Sequence, residues 1–291
     1  MDNLNFSRLR AEEQNVFIGS GKWVGIQDIS INSNFGAETL RYLGIGNKQE
    51  YLMPTSEQSA DVTINSLILN SDPYDSLVNG PINIFILPNE KSWTTNYSLI
   101  GGYLTFYSLQ CSIGTVPQSN ASLKFYTKAG QLSTGDLSII PRTQLINITN
   151  TDYTLSNTGI PYIPHHDSIT LTLDEYNTNR VQNFSIDLNF NQVPIYNVGN
   201  PAPIRVDSLS PISVDCNFTF ECNTNQSGIP FRTFPSIKKE QNIVLTLTDY
   251  TTSSAITSYT LPNMTLINES VNSSLDSNVS ITRNYKGYIA I

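Results

Sequence analysis

Asp28-Ile29-Ser30-Ile31-Asn32 and Ala60-Asp61-Val62-Thr63-Ile64-Asn65 in the first half of the chain, with Ser185-Ile186-Asp187-Leu188-Asn189 and Ser213-Val214-Asp215-Cys216-Asn217-Phe218 in the second, decide the fold. Each alternates apolar and polar residues one for one. Successive side chains of a strand point to opposite faces, so this period predicts four strands with a core face and a wet face. Ile29, Ile31, Val62, Ile64, Ile186, Leu188, Val214, Cys216 and Phe218 are expected in the core. Asp28, Ser30, Asn32, Asp61, Thr63, Asn65, Asp187, Asn189, Asp215 and Asn217 are expected on the other face, which in these four strands carries no lysine or arginine.

The same order of segments occurs in both halves. A half-buried strand leads to Arg41-Tyr42-Leu43-Gly44 in one and to Ile195-Tyr196-Asn197-Val198-Gly199 in the other, and a second half-buried strand follows. The endings also correspond: residues 102–113 and 121–126 read as strands, and so do residues 257–267 and 279–281. Three ordered correspondences predict a tandem duplication of one β domain. Residues 82–87, 169–173 and 244–247 are further expected strands. Only residues 71–78 read as helix, capped by Ser71 or Asp72, with Pro73 at the first position and Asn79-Gly80-Pro81 as the stop.

The expected organisation is an N-terminal arm over 1–22, a first β domain with its linker over 23–163, and a second over 164–291. Pro161 and Pro164 mark the boundary, because proline removes the backbone donor that sheet pairing requires.

Composition narrows the class. The 291 residues suffice for two domains, and charged residues make up only 14%, with Asn, Ser and Thr supplying polarity instead. Those residues bond locally to backbone and favour turns over helix interiors. The net charge of −8 argues against a nucleic-acid grip, which needs cations on phosphates, but not against nucleic acid passing nearby. No run approaches the roughly 18 apolar residues of a membrane helix, and residues 1–13 lack the pattern of a secretory signal. Cys111, Cys216 and Cys222 are expected to be reduced core thiols of a protein assembled inside a cell. The Asn-X-Ser/Thr sequons, such as Asn96 and Asn217, follow from the composition.

Catalytic and metal constellations are absent from the pattern. His165 and His166 are neighbours in an expected linker, where side chains of an extended segment diverge, so no metal site is expected. Gly19-Ser20-Gly21-Lys22 lacks the spacing of a phosphate loop, and there is no serine elbow. No tryptophans gather around acidic pairs as a sugar-cleaving cleft would require. The chain is therefore expected to be neither an enzyme nor a cofactor carrier.

From Gly25-Ile26-Gln27-Asp28 through Arg41-Tyr42-Leu43-Gly44, Pro54-Thr55-Ser56 and Leu69-Asn70-Ser71-Asp72-Pro73, and again at Gly102-Tyr103-Leu104-Thr105 and Cys111-Ser112-Ile113-Gly114, the chain resembles the tail tube-like structural proteins of tailed bacteriophages. The resemblance covers most of the first domain and extends to the second through the repeat. Two tube-type domains in one chain depart from the usual single-domain subunit. The resemblance implies an all-β fold with a minor helix, two tandem β-sandwich or half-barrel domains, and sheets that join between subunits around a lumen. It further implies a virion protein, assembled in the host cytoplasm into a ring with itself, a trimer of two-domain chains, and with other tail or neck proteins. DNA would pass without specific binding, along a wall lined by the ten polar residues named above. A second reading from another class is a tandem β-sandwich decoration or spike that binds host glycans, with Trp93, Tyr97 and Tyr103 as its clustered aromatic residues.

Overall fold

A computed structural model describes residues 14–18, 21–23, 25–34, 37–43, 48–54, 59–69, 72, 74–78, 81–88, 97–126, 130–131, 164–173, 176–197, 203–221, 240–249, 253, 255–274 and 277–289. The first half contains strands β1 (Gln14–Ile18), β2 (Gly21–Lys22), β3 (Ile26–Asn34), β4 (Ala37–Leu43), β5 (Lys48–Pro54) and β6 (Ser59–Leu67), then helix α1 (Tyr74–Val78). It continues with β7 (Ile82–Pro88), β8 (Tyr97–Ser112), β9 (Gln118–Phe125) and β10 (Gly130–Gln131). The second half contains β11 (Pro164–Leu173), β12 (Tyr176–Thr178), β13 (Val181–Ile195), β14 (Arg205–Glu221), β15 (Glu240–Asp249), β16 (Ala255–Ser274) and β17 (Ser277–Ile289).

The all-β expectation holds: fifteen strands form one antiparallel sheet, and β4 and β5 form a separate pair. The alternation read from sequence is the observed burial. On β6, Val62 and Ile64 are buried between the more exposed Asp61, Thr63 and Asn65, and Val214, Cys216 and Phe218 are buried in the same way on β14. The helix is also present. Asp72 is its cap, accepting a hydrogen bond at Oδ1 from the Tyr74 amide at 3.1 Å, while Ser71 and Pro73 lie outside the described residues.

Pairing runs β2-β1-β7-β8-β9-β6-β3 in the first half and β12-β11-β15-β16-β17-β14-β13 in the second. With β4, β5 and β10 set aside, the remaining seven strands of the first half, taken in chain order, have the same pairing order as the seven of the second. The halves then join through one further antiparallel pairing, β13 with β8, from Asn183↔Ser112 to Asn189↔Phe106. The buried residues of both halves form one continuous cluster.

Three segments differ locally from the sequence reading, although β11 begins at residue 164, where the second domain was expected to start. Residues 14–22, assigned to an arm, include β1, which pairs with β7 and buries Val16, Phe17 and Ile18 in the first core. Their aperiodic neighbours hid a three-residue apolar run, the mark of a strand covered on both faces. Residues 164–167, read as a linker, begin β11, with Pro164 opposite Asp249. Proline is tolerated there because it is the first residue of the strand. Finally, Arg41-Tyr42-Leu43 ends β4, whose partner β5 went unrecognised because neither strand alternates cleanly.

Among the described residues the core holds few charges. Arg283, 2% exposed, donates from Nε to Glu269 Oε2 at 2.6 Å, and its guanidinium lies 5.5 Å from the Phe220 ring centroid. A buried pair of this kind costs more to break than it contributes intact.

Candidate assembly and conduit face

In an antiparallel sheet, directly paired residues present their side chains on the same face. Following the pairs across the sheet therefore locates the ten polar positions. Asp28 opposes Asn65, Asn65 opposes Asn120, and Asn120 opposes Ser108. Ser108 opposes Asp187, Asp187 opposes Asp215, Asp215 opposes Lys286, and Lys286 opposes Thr265. One unbroken polar row thus crosses β3, β6, β9, β8, β13, β14, β17 and β16, with four strands from each half. Ser30 and Thr63 lie in the next row, which reaches Ser122, Phe106, Asn189, Ser213 and Tyr288. Asn32 and Asp61 lie in the row that ends on Lys124 and Tyr103, and Asn217 lies beside Ser185 and Asn284.

All ten residues therefore share one face of one sheet. Asp28, Ser30, Asn32, Asp61, Asn189 and Asn217 are exposed, and Thr63, Asn65, Asp187 and Asp215 are half-buried. The face as a whole is not free of cations. Lys286 Nζ sits 3.4 Å from Asp215 Oδ1, and Lys124 stands opposite Asp61. Both lysines come from strands that the four-strand reading did not include. Each faces an aspartate, so on this face the acidic residues Asp28, Asp61, Asp187 and Asp215 outnumber them. Phe106, Tyr103 and Tyr288 add aromatic area that the alternation in β3, β6, β13 and β14 could not disclose.

Beneath the face, Cys216 points into the core. Burial raises its thiol far above the ordinary range, helped by Asp187 and Asp215 on the neighbouring positions. Cys111 is also a free thiol, raised by burial and partly offset by the Thr115 hydroxyl; Cys222 lies outside the described residues. Neither described thiol is poised for reaction.

Where β8 meets β13, a hollow of about 480 Å³ opens between the halves, lined among others by Lys124, Tyr126, Gln192 and Tyr196. Gln192 Nε2 donates to the Leu104 carbonyl at 3.1 Å and Gln192 Oε1 accepts from Ser208 Oγ at 2.9 Å, so the amide is committed to bracing the junction. Among the described residues no three His, Cys, Asp or Glu side chains gather as metal ligands. The side chains of His165 and His166 lie outside them.

No protein-family model matches the chain, and no curated protein matches it. Among solved structures, it is similar to a chain from the virion of a native gene transfer agent particle, at 9% identity and a TM-score of 0.33, over 43% of this chain and 100% of that one.

Proposed function

We propose that this chain is a virion structural protein that assembles into a ring or tube around a DNA conduit in a phage tail or neck. One observation carries the reading: the polar row that runs without a break through eight strands drawn equally from both halves. A face of Asn, Ser, Thr and Asp suits a wall along which DNA moves. The two lysines named on this face stand opposite aspartates, Lys286 in an ion pair with Asp215, so phosphates meet little counterion-releasing attraction there. Each half is one copy of a tube-type unit, and three chains supply a six-unit ring. The protein is not an enzyme. Its partners are further copies of itself and neighbouring tail or neck proteins.

Negative-stain imaging of the purified protein, with mass measurement of whatever assembles, tests this. Rings or tubes with a central channel, three chains to a ring, are the expected result. Rings of another size would overturn the stoichiometry alone. Elongated monomers or compact trimers without a channel would overturn the conduit and favour a glycan-binding decoration.

A further inference from the structure

We infer that successive copies of this chain join head to tail, the outer edge of β3 in one copy pairing antiparallel with residues 266–274 of β16 in the next, as β13 pairs with β8 inside each copy. The inference names the interface of the proposed assembly and rests on its being built from this chain alone.

The internal junction shows how the fold uses its edges. β8 is long enough to serve two neighbours on one side, β7 along its first residues and β13 along residues 106–112, while β9 occupies the other side. β16 has the corresponding place in the second half and is longer still. β15 pairs with it up to Thr265, and β17 takes the opposite edge from Thr265 to Ser274. Among the described residues nothing pairs with the β15 side of residues 266–274. Nor does any described strand pair with the outer edge of β3, which bonds only to β6, whereas its counterpart β13 is flanked by both β14 and β8.

Burial records the difference. Ile186, Leu188 and Phe190 on β13 are fully buried, but the core-facing Ile29 and Ile31 of β3 are only partly so. Leu109 and Cys111 on β8 are buried, whereas Val271, which shares the core side of the sheet with its partner Ile281, is 40% exposed, and Ile267 is 61% exposed. Both open edges therefore carry apolar side chains of the kind that the internal junction covers on β8 and β13. Long unpaired edges with apolar residues are hazards unless something pairs with them.

Strand direction selects the mode. In an antiparallel sheet every second strand runs the same way, so β3 and β13, four positions apart on the path, are parallel. The two halves therefore follow one another in the same orientation along the sheet. Adding β3 of a second copy after β16 keeps the alternation and repeats the same step. That is a heterologous contact, which gives a ring when the rotation closes.

Cysteine cross-linking of the full chain tests the edges. Chains carrying only Ser30→Cys are mixed with chains carrying only Asn268→Cys, Ser270→Cys or Asn272→Cys, then treated with a short bismaleimide; the unsubstituted chain measures background from the native thiols. Ser30 and these three positions share the polar side of the sheet. A covalent dimer is expected in at least one mixture and in no single-variant sample. Dimers from Ser30→Cys alone would mean that like edges pair, and would overturn the inference. Rings seen by microscopy without any cross-link in the mixtures would overturn it while leaving the conduit in place. Cross-linked open filaments without a channel would keep the inference and remove the ring. An unmodified chain that stays monomeric at its highest soluble concentration would remove both. As a second variant, Ile267→Lys alters an exposed residue, so the melting temperature should hold within a few degrees while assembly is lost; undiminished assembly would count against the β16 edge.

Discussion

Tyr259 on β16 donates its phenolic proton to the carboxylate of Asp72, which caps α1 in the other half of the chain and also accepts from Tyr107 on β8. In the sheet order β13, β14 and β17 lie between β8 and β16. A flat sheet would hold the two strands about 19 Å apart. One carboxylate binds phenols from both, so the sheet bends enough to bring these two strands together over the core. Tyr74 packs on Tyr107 with ring centroids 4.9 Å apart, which closes the cluster on the helix side.

Replacing Tyr259 by Phe should therefore destabilise the chain by about 1.5–3 kcal/mol, the range for a hydrogen bond to a charged group. Asp72→Ala removes the acceptor of two such bonds, from Tyr107 and Tyr259, and the helix cap, so the loss should be larger. Chemical denaturation of both single variants and the double variant measures the coupling. Because Tyr259 acts through Asp72, the double variant should cost clearly less than the sum of the singles; strict additivity would show that the contact is energetically silent.

The same cluster predicts an alkaline transition. Burial is the main cause holding the Tyr107 and Tyr259 phenols well above their ordinary value, with the Asp72 charge and, for Tyr107, the neighbouring Tyr259 adding to it. In the unfolded chain both ionise near pH 10. The folded state binds more protons above that pH, so stability is fully present below about pH 10 and falls as pH rises further. Each phenol contributes a slope of about 1.4 kcal/mol per pH unit in that window. Denaturation midpoints between pH 8 and 11 should show a plateau and then a decline, and Tyr107→Phe should make the decline shallower.

The wet and dry faces of β3, β6, β13 and β14 were legible because each strand has one solvated side, so alternation prints the burial pattern directly into the residues. Where that condition failed, so did the reading. β1 is covered on both faces and shows only the run Val16-Phe17-Ile18, and β11 begins on a proline that looked like a break. The ten polar residues could be assigned to one kind of face, but not to one shared face. That depends on the β8–β13 pairing, and register between strands distant in sequence leaves no local mark. The lysines illustrate the consequence: Lys286 belongs to β17, and only its pairing with β14 brings it to Asp215.

Gly102 is the position where β8 passes from one neighbour to another, pairing with Ile82 on one side and Phe125 on the other. A Cβ there would stand 2.3 Å from the Phe125 ring. That ring is buried and cannot swing aside freely. Gly102→Ala should cost about 1–3 kcal/mol through overpacking, and adding Phe125→Leu should recover part of the loss. Thermal melts of Gly102→Ala, Phe125→Leu and the double variant decide it: no recovery in the double variant would place the cost in the backbone rather than in the ring.

Charge reversal on the polar face tests the conduit by its own electrostatics. Asp61→Lys and Asp215→Lys place lysines directly opposite Lys124 and Lys286, converting one ion pair and one facing pair into like-charge contacts. Asp61 is exposed, and Asp215 and Lys286 are each 47% exposed, so the pairs sit in well-solvated surroundings where each is worth about 0–1 kcal/mol. The double variant should fold, with a melting temperature lowered by only a few degrees. Four lysines would then stand on the face, only the one at position 215 with a carboxylate, Asp187, directly opposite, and the rest would retain phosphates by releasing counterions. DNA delivery by particles assembled from the variant should slow, and added salt should restore it, because screening weakens phosphate retention but not a folding defect. Delivery at the normal rate in low salt, from particles that contain the variant, would take this face off the path of the DNA and leave it as an outer surface of the assembly.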